Sequence, residues 1–178
     1  MAKVFLSAGH GGSDPGAVAY GMKEKDINLQ IMLACHNELI RHGVTVVCSR
    51  TKDENDPVSQ EVKEANACGA SVAVSFHINA GKGDGSESYY YATSEKGKKL
   101  AQYCEDETKK FGQNSRGIKT KNLAFTRGTK MVAVLCECAF IDNDKDNDII
   151  DTVAEQQAFG VAYAKAILRY LGLSLIHI

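Results

Sequence analysis

Short apolar runs alternate with longer stretches of helical periodicity along this 178-residue chain, and this alternation restricts the possible folds more than any other feature. Runs rich in β-branched and apolar side chains predict strands at residues 4–7, 44–48, 70–76, 88–92 and 130–138. Apolar residues at helical spacing predict helices at residues 26–42, 57–68, 95–111 and 153–171, the second capped by Asp56. Strands that alternate with helices are typical of layered α/β folds. We therefore predict an α/β fold with a largely parallel core sheet.

The length of the chain fits one domain, since domains commonly contain about 100–200 residues. We predict a single domain over residues 1–173, because the chain has no internal repeat and no low-complexity linker. Gly172 provides a natural end for the last helix. Residues 174–178 are apolar and follow that glycine, so we interpret them as a tail left by truncation or cloning.

Charge and hydropathy exclude several classes of partner. The chain has 21 Lys+Arg against 22 Asp+Glu, which gives no electrostatic reason to bind nucleic acid. No apolar run approaches the ~20 residues of a spanning helix, so we predict no membrane insertion. The first ten residues are too short in apolar length for a signal peptide. We predict cytoplasmic synthesis followed by release, or a domain excised from a secreted protein; no sequence feature specifies an oligomeric state.

The six cysteines match neither a CxxC zinc pair nor a compact disulfide framework, so we predict reduced, buried side chains. Cys136 and Cys138 lie two residues apart on a predicted strand, which places both on one face and Glu137 on the other. A metal site built on this cysteine pair is the alternative interpretation.

Four side chains that bind metals or transfer protons lie close to the ends of predicted elements. His10 follows the first strand, His77 ends the third, and Glu137 lies near the end of the last. Glu24 precedes the first helix. Because the loops after the carboxyl ends of parallel strands collect at one edge of a sheet, we expect these four residues to converge there.

Two histidines and a glutamate form a typical ligand set for catalytic zinc, which leaves one coordination position for water. His10, Glu24 and His77 supply that set, and Glu137 is the candidate general base. A carboxylate within an apolar strand is costly to bury unless it has a partner, which makes Glu137 the sharpest signal. Taken singly, His10 could instead be a capping residue and Glu24 a solvated surface acid.

Several short motifs occur in a fixed order over residues 4–172. They are Gly9-His10-Gly11-Gly12, Asp14-Pro15-Gly16-Ala17, Ser49-Arg50-Thr51, Ala65-Asn66, Ser75-Phe76-His77-Ile78-Asn79-Ala80 and Phe140-Ile141-Asp142-Asn143. With Glu24 and Glu137, they resemble the zinc-dependent N-acetylmuramoyl-L-alanine amidases of the amidase-3 type, found in bacterial autolysins and phage endolysins. The resemblance implies a twisted, mostly parallel sheet of about six strands flanked by helices. It also implies one zinc ion on His10, Glu24 and His77, with Glu137 as the catalytic glutamate.

The activity implied by this resemblance is hydrolysis of the amide bond between N-acetylmuramic acid and the L-alanine of the stem peptide, which degrades the bacterial cell wall. The implied partner is peptidoglycan. Asn79 is a candidate for substrate contact, and Glu87 is a second acid near the site that ranks below Glu137. Two alternatives remain: a zinc peptidase that cuts elsewhere in the stem peptide, and a non-catalytic module that only binds the wall.

The sequence departs from the pattern of that family at three places. Ser7-Ala8 replaces the usual Asp-Pro, Glu61 replaces an arginine, and Val132 replaces a proline. None of these residues is a proposed ligand or base. We therefore expect differences in loop shape and in hydrogen bonds around the site, with the ligand set intact.

Overall fold

The computed structural model describes residues 2–173 as an α/β domain. The eight strands of that part are β1 Lys3–Ala8, β2 Val18–Ala19, β3 Met22–Lys23, β4 Thr45–Cys48, β5 Val72–Asn79, β6 Ser86–Tyr90, β7 Ser115–Thr120 and β8 Val132–Phe140. The six helices are α1 Glu24–Arg41, α2 Val58–Ala67, α3 Glu95–Lys109, α4 Ala124–Gly128, α5 Asp144–Asn147 and α6 Val153–Leu171. The predicted tail, residues 174–178, lies outside the described residues.

The main sheet has six strands in the order β4-β1-β5-β8-β6-β7. Strands β4, β1, β5 and β8 run parallel to one another, β6 runs antiparallel to β8, and β7 runs parallel to β6. The predicted α/β fold with a mostly parallel sheet of about six strands is therefore confirmed. β2 and β3 form a separate hairpin between β1 and α1.

The two faces of the sheet are covered unequally. Helices α1, α3 and α6 pack on the first face in a large core that includes Ile31, Leu100 and Tyr163. The shorter helices α2 and α4 cover part of the second face, where Phe125 packs near Leu135. Since side chains alternate along a strand, Cys136 and Cys138 point into the first core and Glu137 points to the second face.

The cysteine prediction agrees with this arrangement. All six cysteines are free, and Cys35, Cys104, Cys136 and Cys138 are buried. Cys136 and Cys138 belong to the apolar core, and among the described residues the group placed to hold a metal is His10, Glu24 and His77, so the structure does not support the alternative of a metal site on this cysteine pair.

One predicted feature of α2 is wrong. Asp56 was expected to cap this helix, but Pro57 occupies the capping position in an extended conformation and no side chain caps the helix. The carboxylate of Asp56 is therefore one residue too early to accept from the N–H groups of the first turn.

Element boundaries also differ from the predictions near the site. α1 begins at Glu24, two residues before the predicted start, and β5 continues through His77 to Asn79. Strand β7 was not predicted, because its sequence SRGIKT contains a single apolar residue, Ile118. Such an edge strand has too little apolar alternation to be recognised.

No helix of the described residues 2–173 is long and apolar enough to cross a membrane.

Close packing between α1 and α6 depends on Gly160. A Cβ atom at this position would lie 2.3 Å from the carbonyl oxygen of Ile31 and 2.6 Å from Cβ of Ala34. We expect Gly160→Ala to lower the free energy of unfolding by roughly 1–3 kcal/mol, because overpacking outweighs the better helix propensity of alanine. Urea denaturation measures this loss, and exposed Gln157→Ala on the same helix should change stability by less than about 0.5 kcal/mol. Equal stability of both variants would contradict the prediction.

Candidate metal centre

His10, Glu24 and His77 lie together at one edge of the sheet. One ligand atom from each side chain lies within 4.8 Å of the other two. His10 follows β1, Glu24 begins α1, and His77 lies near the end of β5, so three separate elements bring them together. The structure thus brings together the three residues that the sequence analysis selected as ligands.

Glu24 lies at the centre of this group and is held firmly. Its Oε1 lies 3.0 Å from Nδ1 of His77 and 3.2 Å from Nε2 of His10. The backbone N–H of Ile78 also donates to Oε1, and that of Ala17 donates to Oε2 at 2.9 Å. Only 4% of Glu24 is exposed. Four polar atoms of the chain thus fix this carboxylate, two of them from imidazole rings.

The electrostatics of the group favour a bound cation. Burial alone would raise the pKa of Glu24, but hydrogen bonds with His10 and His77 outweigh burial and hold this pKa well below its usual range. The hydrogen bond to Glu24 raises the pKa of His10 to about 9. The carboxylate therefore stays charged and favours a positive charge beside the two imidazoles.

The donor set fits zinc, which binds imidazole nitrogen and carboxylate oxygen. Nδ1 of His10 lies 2.8 Å from Oδ2 of Asp14, which directs Nε2 toward Glu24. Histidines that bind metals commonly donate their other ring N–H to a carboxylate in this manner. His10, Glu24 and His77 could therefore hold one zinc ion, and Asp14 would set the tautomer of His10.

Two glycines leave room for these side chains. A Cβ atom at Gly9 would lie 2.2 Å from Cε1 of His77, and one at Gly16 would lie 2.5 Å from Oε2 of Glu24. The glycine-rich loop after β1 therefore gives space to the ligand cluster.

Arg50 anchors the glycine-rich loop after β1 through hydrogen bonds. Its buried guanidinium donates to the main-chain carbonyls of Ala8, Lys25 and Lys52. The arginine of the Ser49-Arg50-Thr51 motif thus joins the end of β1 to the start of α1, the two elements that carry His10 and Glu24.

Glu137 lies directly beside this group on β8. It pairs in register with His77 on β5 and with Glu87 on β6. Its Oε2 is buried and has no hydrogen-bond partner among the described residues. Burial raises the pKa of Glu137 to about 7. A buried carboxylate with an unoccupied oxygen and a pKa near neutrality is suited to accept a proton and return it.

Asn79, the candidate for substrate contact, has both ends of its amide occupied. Its Nδ2 donates to Oε1 of Glu87 at 3.0 Å, and its Oδ1 accepts from the N–H of Ala80. In this structure, Asn79 helps to hold Glu87.

A cavity of about 430 Å³ adjoins the two histidines, and the sequence analysis did not find it. Its walls come from α2 and α4 and from the second face of the sheet; they include Asp56, Glu61, Leu123, Phe125 and Leu135. Burial raises the pKa of Glu61, the residue that replaces the family's arginine, to about 7. This departure from the family pattern thus lies in the wall of the cavity, beside the two histidines that the sequence singled out.

Comparisons with known proteins agree with this geometry. The model of the Amidase_3 family, described as N-acetylmuramoyl-L-alanine amidase, matches residues 4–169. The chain is 37% identical over 180 residues to the N-acetylmuramoyl-L-alanine amidase CwlM of Bacillus licheniformis, covering 98% of this chain and 70% of that protein. It is 39% identical over 174 residues to the endolysin of Bacillus phage SPP1, covering 89% of this chain and 64% of the endolysin.

A solved structure gives the same result. The crystal structure of N-acetylmuramoyl-L-alanine amidase from Clostridium difficile 630 superposes with a TM-score of 0.91 at 32% sequence identity. The match covers 96% of this chain and 97% of that chain, so the similarity extends over the whole fold.

Proposed function

The chain belongs to the Amidase_3 family of N-acetylmuramoyl-L-alanine amidases, and we propose that it hydrolyses the amide bond between N-acetylmuramic acid and L-alanine in peptidoglycan, using one zinc ion held by His10, Glu24 and His77. One observation carries the proposal. His77, one of the three candidate ligands, pairs across neighbouring strands with the buried Glu137, and one carboxylate oxygen of Glu137 has no hydrogen-bond partner among the described residues. The ligand set alone would hold a metal, and the added glutamate supplies the means for hydrolysis.

When bound, zinc would lower the pKa of a water molecule and polarise the carbonyl of the amide that is cleaved. The chain's own residues hold the ligand set ready for this role. Asp14 orients the ring of His10, and the N–H groups of Ala17 and Ile78 fix the carboxylate of Glu24. Ligand side chains held in advance need no reorganisation during the reaction.

Glu137 performs the proton transfers. Its carboxylate takes the proton of the attacking water and then gives it to the nitrogen of L-alanine as the amide bond breaks. A group whose pKa lies near the working pH can do both. The apolar core behind β8, which contains Cys136 and Cys138, keeps water from the opposite face of this strand.

The chemical ends that form during digestion test this proposal. We expect mass spectrometry of peptidoglycan digested with the zinc-loaded chain to show a free amine on L-alanine and a free carboxyl on the lactyl group. A chelator should abolish both products, and added zinc should restore them.

Two results would contradict the proposed function. New ends elsewhere in the stem peptide would identify a peptidase. Sedimentation of the chain with cell walls, without any new chemical ends, would identify a module that only binds the wall.

A further inference from the structure

Glu87 forms a buried polar network that the proposed mechanism does not use. Only 3% of this residue is exposed, and it pairs in register with Glu137 on the neighbouring strand. Its Oε1 accepts hydrogen bonds from Asn79 and from the hydroxyl of Tyr89. Its Oε2 accepts from Nε of Arg116 and from Nζ of Lys119. The network therefore places two cations on β7, two strands from the candidate base on β8.

A β-bulge in β7 allows Arg116 and Lys119, three residues apart, to lie on the same face as Glu87. Ser86 pairs with Ser115 and Ser88 pairs with Ile118, so Arg116 and Gly117 together lie opposite Glu87. Gly117 has a φ of 82°, a left-handed conformation that favours glycine. Ser115 donates to Glu105 on the first face, so regular alternation already places Arg116 on the face of Glu87 and Glu137. The extra residue returns Ile118 to the first core and thereby places Lys119, three residues after Arg116, on the face of Glu87 as well.

The guanidinium of Arg116 is anchored at one end and open at the other. Its Nε donates to Glu87 at 2.8 Å, and the group lies 5.0 Å from the centre of the Phe140 ring. Its two terminal nitrogens donate to no residue within the described range 2–173. A guanidinium fixed in this way presents two parallel N–H donors, which match the two oxygens of a carboxylate.

The charges of the network also favour an anion. The single negative charge of Glu87 faces the positive charges of Arg116 and Lys119, and 40% of the Arg116 side chain is exposed. Glu87 pairs directly with Glu137 across β6 and β8, so the network borders the candidate base. A carboxylate farther along the departing peptide can therefore reach Arg116 while the amide to be cleaved lies at Glu137.

We propose that Arg116, positioned by its hydrogen bond to Glu87, binds a carboxylate of the departing stem peptide. This inference rests on the proposed function. Neighbouring strands are about 4.8 Å apart, so β7 lies roughly 10 Å from the strand of Glu137. An extended peptide advances about 3.4 Å per residue. The carboxylate therefore belongs to the second or third residue of the departing peptide.

Two synthetic substrates test this subsite. Both are N-acetylmuramoyl tripeptides; one has free carboxylates on the second and third residues, and the other has carboxamides at both positions. We expect the zinc-loaded chain to cleave the carboxylate peptide with a kcat/KM about tenfold higher or more, since hydrogen bonds to charged groups are the stronger ones. Arg116→Gln should raise KM for that peptide about tenfold and keep kcat within about twofold, so that the ratio between the substrates falls to about one.

Matched variants separate this role from a general effect of charge or folding. Arg41→Gln also removes an arginine that is paired with a glutamate, but Arg41 lies at the far end of α1 from Glu24 and should leave the ratio as in the wild type. Arg116→Lys keeps the charge and loses the paired donors, so it should give an intermediate ratio.

The outcomes distinguish the subsite from the proposed activity. Equal cleavage of both substrates by the wild-type chain would overturn the subsite alone. An unchanged ratio in Arg116→Gln would also overturn it. Cleavage of neither substrate by the wild-type chain would overturn the proposed function, and the subsite with it.

Discussion

Replacing Glu137 with glutamine should lower the rate of amide hydrolysis by about 10²–10⁴-fold, while bound zinc stays close to one per chain. Glutamine has nearly the same size and fits the same position on β8, but it cannot accept the proton of water or return it to the leaving amine. Glu137 is also not one of the three side chains that could hold the metal. Release of L-alanine amine measures the rate, and elemental analysis of the dialysed protein measures zinc.

A control variant tests whether this loss is specific. Glu95→Gln changes an exposed glutamate at the start of α3, which follows the end of β6 farthest from Glu137. It should keep activity within about twofold, because surface substitutions of this kind change stability little. If Glu137→Gln kept activity within tenfold of the wild type, the assignment of the base would be wrong. A parallel loss of zinc would instead indicate that Glu137 supports the metal.

The second large effect is expected for His77→Ala. This change removes one of three candidate ligands and leaves the buried carboxylate of Glu24 with a single imidazole neighbour, His10. Loss of groups that merely support a ligand costs 10–100-fold in metal affinity, so loss of a ligand should cost at least about 100-fold. We expect bound zinc to fall below about one tenth per chain after dialysis, with a matching loss of hydrolysis.

Thermal unfolding gives an independent measure of the same loss. A ligand that binds only the folded state raises Tm, so added zinc should stabilise the wild-type chain and leave His77→Ala unchanged. His36→Ala is the matched control, since His36 lies on α1 outside the cluster of His10, Glu24 and His77, and its Nδ1 lies beside Asn37. Full zinc retention by His77→Ala would refute the ligand assignment.

Much of the fold could be predicted because its strands are strongly patterned. Strand β5 begins with a continuous buried run, Val72 to Phe76, and α6 was predicted with the bounds that the structure gives, Val153–Leu171. Gly172, at a φ of 70°, ends that helix as expected. The edge strand β7 was missed, because none of its residues is fully buried and they are mainly polar.

The candidate site was predictable to the extent that its residues follow strands. His10 and His77 lie after or near the ends of neighbouring parallel strands, so the topology alone brings them to one edge. The face on which Glu137 lies followed from the alternation of β8 around two buried cysteines. The roles of these residues in metal binding and proton transfer remain predictions, which the variants above test.

The amino-acid sequence by itself determined the α/β architecture, the edge of the sheet where the polar residues meet, and the family to which the chain belongs. Those properties depend on periodicity and on short motifs, which are local. The tertiary structure alone decided how Glu24 is held between two imidazoles, where the cavity beside Glu61 lies, and how Glu87 fixes Arg116. Each of these depends on contacts between residues far apart in the chain. The face that Arg116 and Lys119 share depends in addition on one extra residue in a strand pairing, which shifts the alternation of side chains without leaving a periodic signal.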